Sequence, residues 1–491
     1  MSRAWAPAGV PDPRSDTGGH KRPEPTAAHN MLDLRIVGGT VVSDGRSRPA
    51  DVGLEGDRIV EVAPRGGLGP ARGEIDASGL LVIPGAVDAH FHCRAPSHPE
   101  RATFGSESRA AAASGVTTLF EMPISNPPCS TPEAFEMRRE LGEAESLIDF
   151  ALYSGAGFSD PARAEAMAEC GAIAFKLFTH HPPPERVDEF EGLCAGAPEF
   201  ILECLRAVAG TGLRCAVHSE SQQMIELFRE ELDRFGHPSR PPLVEAVAVG
   251  LVATIVRELG APAHIVHITS RLAMEEVQAA QALGADLSAE SCPHYLLLDE
   301  SAIPEFGNFV KVAPPLRPLE DLDYLWEALA DGSLSVVASD HAPFTPEEKA
   351  AAAYANSGQG IPSLEMLVPA MLDAGLTGRI PLARAVDVMT ANPAKLYGIY
   401  PRKGTISVGS EADLVLVDPE ATRTVRSSEF LARSGGSALA YDGMELRGKV
   451  LTTLSRGRTV FEAGRVIGES GGRLVRPDGP PQHIREVRGA G

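Results

Sequence analysis

The sequence predicts an α/β protein: a TIM-like (β/α)8 barrel with a small β-sandwich domain formed from both chain ends. Eight apolar runs of strand length alternate with segments of helix length, which is typical of parallel strands ringed by helices. The apolar runs end near His92, Met122, Gly155, Phe178, Ser219, Thr269, His294 and His341. Helices are predicted between them, among others over residues 131–145, 199–209, 244–259 and 272–283. Chemistry in this fold lies where the strands end, so polar side chains at those positions are the candidates for a functional site.

The small β-domain is predicted from short strand-like runs with Gly and Asp at the turns. Such runs occupy residues 36–60, and similar ones return at residues 412–418 and 450–460. The predicted domains are therefore a composite β-domain from residues 31–83 and 403–474 and a barrel from residues 84–402.

The two termini carry few signs of regular structure. Residues 1–30 are rich in Pro, Gly and charge and lack the apolar core of a signal peptide, which predicts a disordered leader. Met31 directly precedes the first strand-like run, so it is an alternative start of the protein. Residues 475–491 are polar and rich in Pro and Gly, and we expect a loose C-terminal arm there.

Composition excludes several classes of protein. The 491 residues carry a net charge of −21, and the acids are spread along the chain, which argues against a nucleic-acid partner. No apolar run approaches the roughly 20 residues that span a membrane. Seven irregularly spaced cysteines form neither a disulfide framework nor a CxxC knuckle, so we expect reduced thiols and a cytoplasmic location.

The first candidate metal ligands are His90 and His92, which follow the apolar run 80–83. Residues i and i+2 of a strand point to the same face, so both imidazoles can hold one metal ion from one side. Imidazole suits zinc and similar metals. Two histidines that merely line a polar pocket are the alternative, and this motif alone does not decide between them.

Three further residues at strand ends extend this pattern. Lys176 lies in an apolar run, either as a lysine reaching solvent from a strand end or as a buried amine. A neutral amine can take up CO2, and the resulting carbamate has two oxygens that can bridge two metals. His218 and His267 each close an apolar run, although a single such histidine is more typical of a satisfied buried side chain. His264 opens its run, so His267 is preferred as the ligand.

Asp340 ends the eighth run and completes the set. It is either the cap of a following helix or a carboxylate that binds metal and accepts a proton from a metal-activated water as hydroxide attacks. Four histidines, one lysine and one aspartate at separate predicted strand ends together favour a metal centre.

Taken together, these motifs resemble the cyclic amidohydrolases: dihydroorotase, allantoinase, and hydantoinase or dihydropyrimidinase. The resemblance runs from about Leu34 to about Arg473. The matching segments are 84–92 (Pro-Gly-x-x-Asp-x-His-x-His), 115–118 with 122–123, 175–178, 217–220, 267–270, 290–295, 314–317, 339–343, 390–394 and 403–404.

The resemblance implies a binuclear zinc centre and hydrolysis of a ring C–N amide bond by a metal-bridged hydroxide. It assigns His90, His92 and Asp340 to one metal and His218 and His267 to the other, bridged by carboxylated Lys176. Asp340 is then the catalytic base and afterwards the acid. The resemblance also implies a homo-oligomer, a dimer or a tetramer.

The resemblance also implies that three residues contact the substrate. Arg94 matches the dihydroorotase arginine that holds a substrate carboxylate, with a structural ion pair as the alternative. Asn126 lies near that family's Met-Pro-Asn asparagine, but Ile124 and Ser125 intervene, so a turn residue is at least an equal interpretation. His294 follows a proline as in the family.

The expected substrate is a five- or six-membered cyclic ureide or imide, with allantoin- or hydantoin-type rings ahead of dihydroorotate. Lys176 and the segment 292–295 (Cys-Pro-His-Tyr) favour this order. His181 stands where hydantoinases have a tyrosine, and Arg94 favours a ring with a negative group. A hydrolase of linear N-acyl amino acids or isoaspartyl peptides is a more distant alternative. A non-catalytic scaffold relative would be marked by lost ligands, and all six candidates are present.

Overall fold

The computed structural model describes residues 31–351, 353–479 and 482. The predicted leader, residues 1–30, lies outside the described residues, as do residues 480–481 and 483–491 of the predicted C-terminal arm. No helix in the described part of the chain is long and apolar enough to cross a membrane.

Nineteen strands form three sheets in these described residues. Those before the barrel are β1 (Leu32–Val37), β2 (Thr40–Ser43), β3 (Arg46–Pro49), β4 (Asp51–Glu55), β5 (Arg58–Ala63), β6 (Ala71–Asp76) and β7 (Leu81–Pro84). Those of the barrel are β8 (Ala86–Phe91), β9 (Val116–Glu121), β10 (Asp149–Gly155), β11 (Ala174–Phe178), β12 (Cys215–His218), β13 (Ala263–Ile265), β14 (Leu287–Ser291) and β15 (Val336–Val337). Those after it are β16 (Leu414–Thr424), β17 (Glu445–Ser455), β18 (Arg458–Glu462) and β19 (Arg465–Val466).

Helices connect the barrel strands and follow them. They are α1 (Phe104–Ser114), α2 (Pro132–Glu145), α3 (Pro161–Cys170), α4 (Pro198–Ala209), α5 (Gln222–Leu227), α6 (Pro242–Leu259), α7 (Arg271–Ala282), α8 (Pro293–Leu297), α9 (Ile303–Phe306), α10 (Leu319–Asp331), α11 (Pro346–Lys349), α12 (Leu367–Leu376), α13 (Leu382–Asp387) and α14 (Ala391–Leu396). Capping residues explain several starts: Thr131 and Asp160 each accept a backbone N–H of the helix that follows, and a proline occupies the first helical turn of α2 and α3.

The eight central strands are parallel and neighbour one another in chain order from β8 to β15. The sheet closes where Phe91 pairs with His341 and the His92 N–H donates to the His341 carbonyl at 2.9 Å. Apolar side chains such as Val87, Phe120 and Tyr153 fill the interior below this edge. The predicted (β/α)8 barrel is confirmed.

The β-domain combines both chain ends, as predicted. Its larger sheet has the order β19-β18-β17-β16-β7-β2-β3, so strands after the barrel pair with strands before it. A second sheet, β5-β4-β1-β6, packs against it. Buried side chains including Ile36, Val52, Leu414 and Leu454 form the core between the sheets. The predicted fold class is therefore confirmed in both parts.

A buried charge cluster joins the barrel to this β-domain. Lys403 Nζ lies 2.8 Å from Asp149 of β10, 2.7 Å from Glu411 and 2.6 Å from Asp413. The three carboxylates are close enough to hold a metal ion, but the lysine ammonium already occupies their centre. The cluster is a structural ion-pair network rather than a second metal site.

Two barrel strands are shorter than predicted. The sixth ends at Ile265, not near Thr269, and the eighth is only Val336–Val337. His267 and Asp340 have φ of +41° and +40°, left-handed conformations that cannot continue a strand. Because such backbone strain concentrates at functional sites, the deviation itself marks these two residues.

The start of the predicted arm packs against the barrel. Val475 is 1% exposed, and its N–H donates to the Phe150 carbonyl at 2.7 Å. Asp478 pairs with Arg402 at 2.6 Å. The apolar Val475 side chain, buried below the barrel strands, accounts for this contact.

Candidate metal centre and active site

A cavity of about 730 Å³ opens at the carboxyl ends of the barrel strands. All six predicted ligand residues line it: His90, His92, Lys176, His218, His267 and Asp340. The chain reaches this arrangement because each residue ends or follows a separate barrel strand. Gly85 starts the segment: a Cβ there would lie 2.1 Å from Thr117 Oγ1, so only glycine lets the entry to β8 approach β9.

The first group of ligands consists of His90, His92 and Asp340. The two imidazole Nε2 atoms lie 3.2 Å apart, and Asp340 Oδ1 lies 3.2 Å from that of His90 and 3.4 Å from that of His92. All three side chains are buried. Their ligand atoms converge on one point, as a metal ion requires.

The second group lies beside the first. His218 Nδ1 faces His267 Nε2 at 3.0 Å, and the ring centroids of His90 and His267 are 5.4 Å apart. At this distance the two nitrogens can share a proton, or they can direct both lone pairs at a metal ion.

Lys176 lines the same cavity as these groups and is fully buried, and its Nζ has no hydrogen-bond partner among the described residues. Burial lowers the pKa of Lys176 to about 8, although the Glu290 and Asp340 carboxylates oppose this shift. An unpaired buried ammonium is costly, whereas a carbamate bound to cations is not. This orphaned nitrogen among four histidines is the observation that fits a bridged metal pair.

Electrostatics favour the metal-binding form of the ligand histidines. Burial lowers the pKa of His90, His92 and His267 well below the usual value, with Lys176 contributing in each case. The imidazoles are therefore neutral, which is the form that binds metal ions. Asp340 differs: burial raises its pKa to about 8, against the attraction of Lys176, so this carboxyl needs cations beside it to become the ionised ligand.

Sequence reasoning missed two buried carboxylates that hold the ligand histidines. Glu290 of β14 contacts His90 Nδ1 at 2.5 Å and His264 Nε2 at 3.0 Å. Glu220 contacts His218 Nε2 at 2.9 Å and also accepts from Arg240 at 2.8 Å. Glu290 is 200 residues from His90 in the chain, so only the barrel closure brings them together.

Two other residues, one predicted and one missed, lie beside the ligands. His294 is buried beside them, with Nδ1 3.2 Å from Ser363 Oγ and an unpartnered Nε2 that lies 3.8 Å from Asp340 Oδ2. His180, which sequence reasoning missed, lines the cavity with its ring centroid 4.8 Å from that of His218. Its position in the run of polar residues after β11 was the only available signal.

Arg94 lies in the cavity wall with φ of +58°. Its guanidinium stacks on Phe344 at 4.6 Å, and its nearest carboxylate, Glu189, is 3.8 Å away. Arg94 is buried, yet Nε and Nη1 have no hydrogen-bond partner among the described residues. The loose contact with Glu189 does not satisfy the guanidinium, so donors remain for a ligand.

Asn126 does not lie in this cavity. Its side chain is exposed and borders a neighbouring groove of about 310 Å³, together with Ser97, His98 and Arg186. Ile124, two residues earlier, lines the main cavity instead. The predicted role of Asn126 as a contact in the main cavity is therefore not supported by its position.

The segment 344–360 forms one wall of the cavity. Phe344, Glu348 and Gly360 line it. Lys349, fully buried, donates to the carbonyls of Lys311, Gly358 and Gly360 at 2.8 to 3.0 Å. The segment is therefore fixed to the barrel from within.

The fold and the site define a barrel hydrolase with a histidine-rich centre at the strand ends. The model of the amidohydrolase family matches residues 81–460. The chain belongs to the amidohydrolase family.

Named relatives cover almost the whole chain. An allantoinase of Rubrobacter xylanophilus is 38% identical over 462 residues, 91% of this chain and 98% of that relative. An L-hydantoinase of Paenarthrobacter aurescens is 32% identical over 90% of this chain and 97% of its own. The solved structure of an L-hydantoinase (dihydropyrimidinase) from Arthrobacter aurescens has a TM-score of 0.84 at 31% identity, covering 91% of this chain and 100% of that one. The predicted relation to the cyclic amidohydrolases is confirmed.

Proposed function

We propose that this protein is a metal-dependent cyclic amidohydrolase that opens an allantoin- or hydantoin-type ring at a C–N amide bond. The observation that carries the proposal is a single cavity lined by six ligand-type side chains, one of which is the buried, unpartnered Lys176. The relatives named allantoinase and hydantoinase support a cyclic ureide or imide as substrate.

The metal centre would consist of two zinc ions. His90, His92 and Asp340 would hold one, His218 and His267 the other, and Lys176 as a carbamate would bridge them. Bound metal ions would supply the Lewis acidity that activates water and polarises the ring carbonyl. The neutral imidazoles and the orphaned lysine nitrogen support this donor set.

Asp340 would perform the proton transfers. Its carboxylate faces the cavity, so it can take a proton from the attacking water and return it to the ring nitrogen that leaves. His294, 3.8 Å from Asp340, would hold that carboxylate and the substrate in place. Ser363 bonds both His294 and the Tyr441 hydroxyl, at 3.2 and 2.8 Å, and these contacts fix the imidazole.

Arg94 would bind the polar edge of the ring. Its free donors point to a carbonyl or an anionic group on the substrate, and the stack on Phe344 holds the guanidinium plane. An anionic ring substituent is the specific feature of dihydroorotate, so Arg94 makes dihydroorotase the second candidate function.

A turnover panel tests the proposal. We expect efficient opening of allantoin or substituted hydantoins, and weaker opening of dihydropyrimidines, cyclic imides and dihydroorotate. If dihydroorotate alone is turned over efficiently, the second candidate replaces the first. If linear N-acyl amino acids or isoaspartyl peptides are hydrolysed and no ring is opened, the cyclic proposal fails.

A homo-oligomer and a cytoplasmic location stay predictions. All seven cysteines are free, which is in keeping with a reducing compartment. Light scattering on the purified protein measures the oligomeric state.

A further inference from the structure

Each of the two ligand groups contains one histidine whose second ring nitrogen faces a buried carboxylate. Glu290 contacts the Nδ1 of His90, and Glu220 contacts the Nε2 of His218. The other histidine of each group has no such support: Nδ1 of His92 and Nδ1 of His267 have no hydrogen-bond partner among the described residues.

These contacts fix opposite tautomers. With its Nδ1–H donated to Glu290, His90 presents Nε2 towards Asp340, 3.2 Å away. With its Nε2–H donated to Glu220, His218 presents Nδ1 towards His267 Nε2, 3.0 Å away. A carboxylate opposite the ligating nitrogen orients the ring and makes it a stronger ligand.

The two carboxylates are themselves held by different neighbours. The second oxygen of Glu290 accepts from His264, whose other ring nitrogen lies 2.8 Å from Ser288 Oγ. Glu220 accepts from the Arg240 guanidinium at 2.8 Å. Residues 264, 288 and 290 lie deep in the barrel, while Arg240 comes from the loop before α6. The described contacts link neither carboxylate to the other.

We propose that Glu290 and Glu220 are separate positioning residues, one for each metal: Glu290 through His90 and Glu220 through His218. The inference rests on the proposed two-metal centre and adds to it that the two metal affinities are set independently. It also gives His264 a role as the residue that orients Glu290.

The test is zinc loading of the purified full-length protein over a series of buffered free-zinc concentrations, with zinc counted per chain. The variants are Glu290→Ala, Glu220→Ala and the double substitution. Glu365→Ala is the matched control, because Glu365 is a buried carboxylate that accepts from the backbone N–H groups of Leu431 and Ala432 away from the cavity.

We expect wild-type protein to bind two zinc ions per chain. Each single variant should raise the free zinc needed to half-load one of the two sites on the order of 10- to 100-fold, as for other residues that orient metal ligands. The other site should stay within about threefold, the double variant should weaken both sites, and the control should match wild type.

Three results would overturn the inference: a folded single variant that loads like wild type, a single variant that weakens both sites together, or a double variant that weakens only one. If an alanine variant does not fold, Glu290→Gln or Glu220→Gln takes its place. Such a variant should raise the free zinc needed to half-load one site about threefold or more and leave the other site unchanged. Wild-type protein that binds fewer than two zinc ions defeats the metal centre and this inference together. Wild-type protein that binds two but opens no ring defeats only the proposed substrate.

Discussion

Asp340 Oδ2 lies 3.8 Å from the unpartnered Nε2 of His294, while its other oxygen lies 3.2 Å from His90 Nε2. One carboxylate thus borders both the ligand histidines and a buried imidazole whose Nε2 has no hydrogen-bond partner among the described residues. This position suits a group that must hold a metal and move a proton, and it leads to the first two predictions.

Asp340→Asn should lower kcat/KM by at least about 1,000-fold, because an amide cannot accept the water proton and is a poor metal ligand. The thermal unfolding temperature should change little. Steady-state kinetics and calorimetry on the same preparation measure both effects. Asp387→Asn, a partly buried aspartate outside the cavity, is the control. An Asp340→Asn protein with normal turnover would reject Asp340 as the base.

His294→Gln should lower kcat about 10- to 100-fold while zinc content stays the same, because His294 acts on Asp340 and the substrate rather than on a metal. Kinetics and elemental analysis of the same sample check this. Loss of zinc from the variant would instead make His294 a ligand.

Lys176→Ala should lose at least one zinc ion and nearly all turnover, since no carbamate can form. A short carboxylic acid added at millimolar concentration should restore part of the activity by filling the vacated space. Lys395→Ala, a lysine outside the cavity, should keep both metals and activity. Normal turnover in Lys176→Ala would leave the lysine a purely structural role.

The sequence alone predicts the barrel, the composite β-domain and the six ligand-type residues, because strand ends and period-two patterns are local signals. Glu220 and Glu290 were not predicted as partners, since their contacts depend on side-chain directions inside the closed barrel. Asn126 shows the opposite case. Its place near a family motif predicted a contact in the main cavity, but the residue borders a neighbouring groove instead.

Arg94→Ala should raise KM for carboxylated rings about 100-fold, the value of losing a charge-assisted pair of hydrogen bonds. For neutral rings the KM should rise about tenfold or less, since they offer the guanidinium only neutral acceptors. The ratio of kcat/KM for dihydroorotate and an unsubstituted hydantoin measures the difference. An unchanged ratio would assign Arg94 to the stack on Phe344 and not to substrate recognition.

Lys403→Met should destabilise the protein by about 3–5 kcal/mol, because it removes the cation that contacts all three buried carboxylates. Among the described residues, only Arg456, 3.1 Å from Asp149, and Arg58, 3.6 Å from Glu411, would remain to balance their charge. Burial lowers the pKa of Lys403, but the negative charges of Asp413, Asp149 and Glu411 have the larger effect and raise it above the ordinary lysine value. A raised lysine pKa contributes stability that is fully present below about pH 10.4 and is lost only as pH rises through the folded value.

In Lys403→Met the carboxylates that lose their main cation, Asp413 above all, should hold protons more tightly when folded than when unfolded. The stability of the variant should therefore fall as pH rises above about 4, and the gap to wild type should be smaller at pH 5 than at pH 8. Unfolding temperatures at both pH values, with Lys395→Met as control, measure this gap. An equal difference between variant and wild type at pH 5 and pH 8 would mean that the carboxylates do not cause the loss of stability.

The pairing of β7 with β16 links chain synthesis to the active site. Residues 81–84 pair antiparallel with residues 414–417, and after Gly85 the same extended run becomes β8, which carries His90. The partner strand leaves the ribosome only after the entire barrel. β7, which leads into the first ligand strand, pairs early with β2 and gains its second neighbour last. A chain cut before residue 414 would therefore keep every ligand residue and still lack four of the seven strands in the sheet that holds β7.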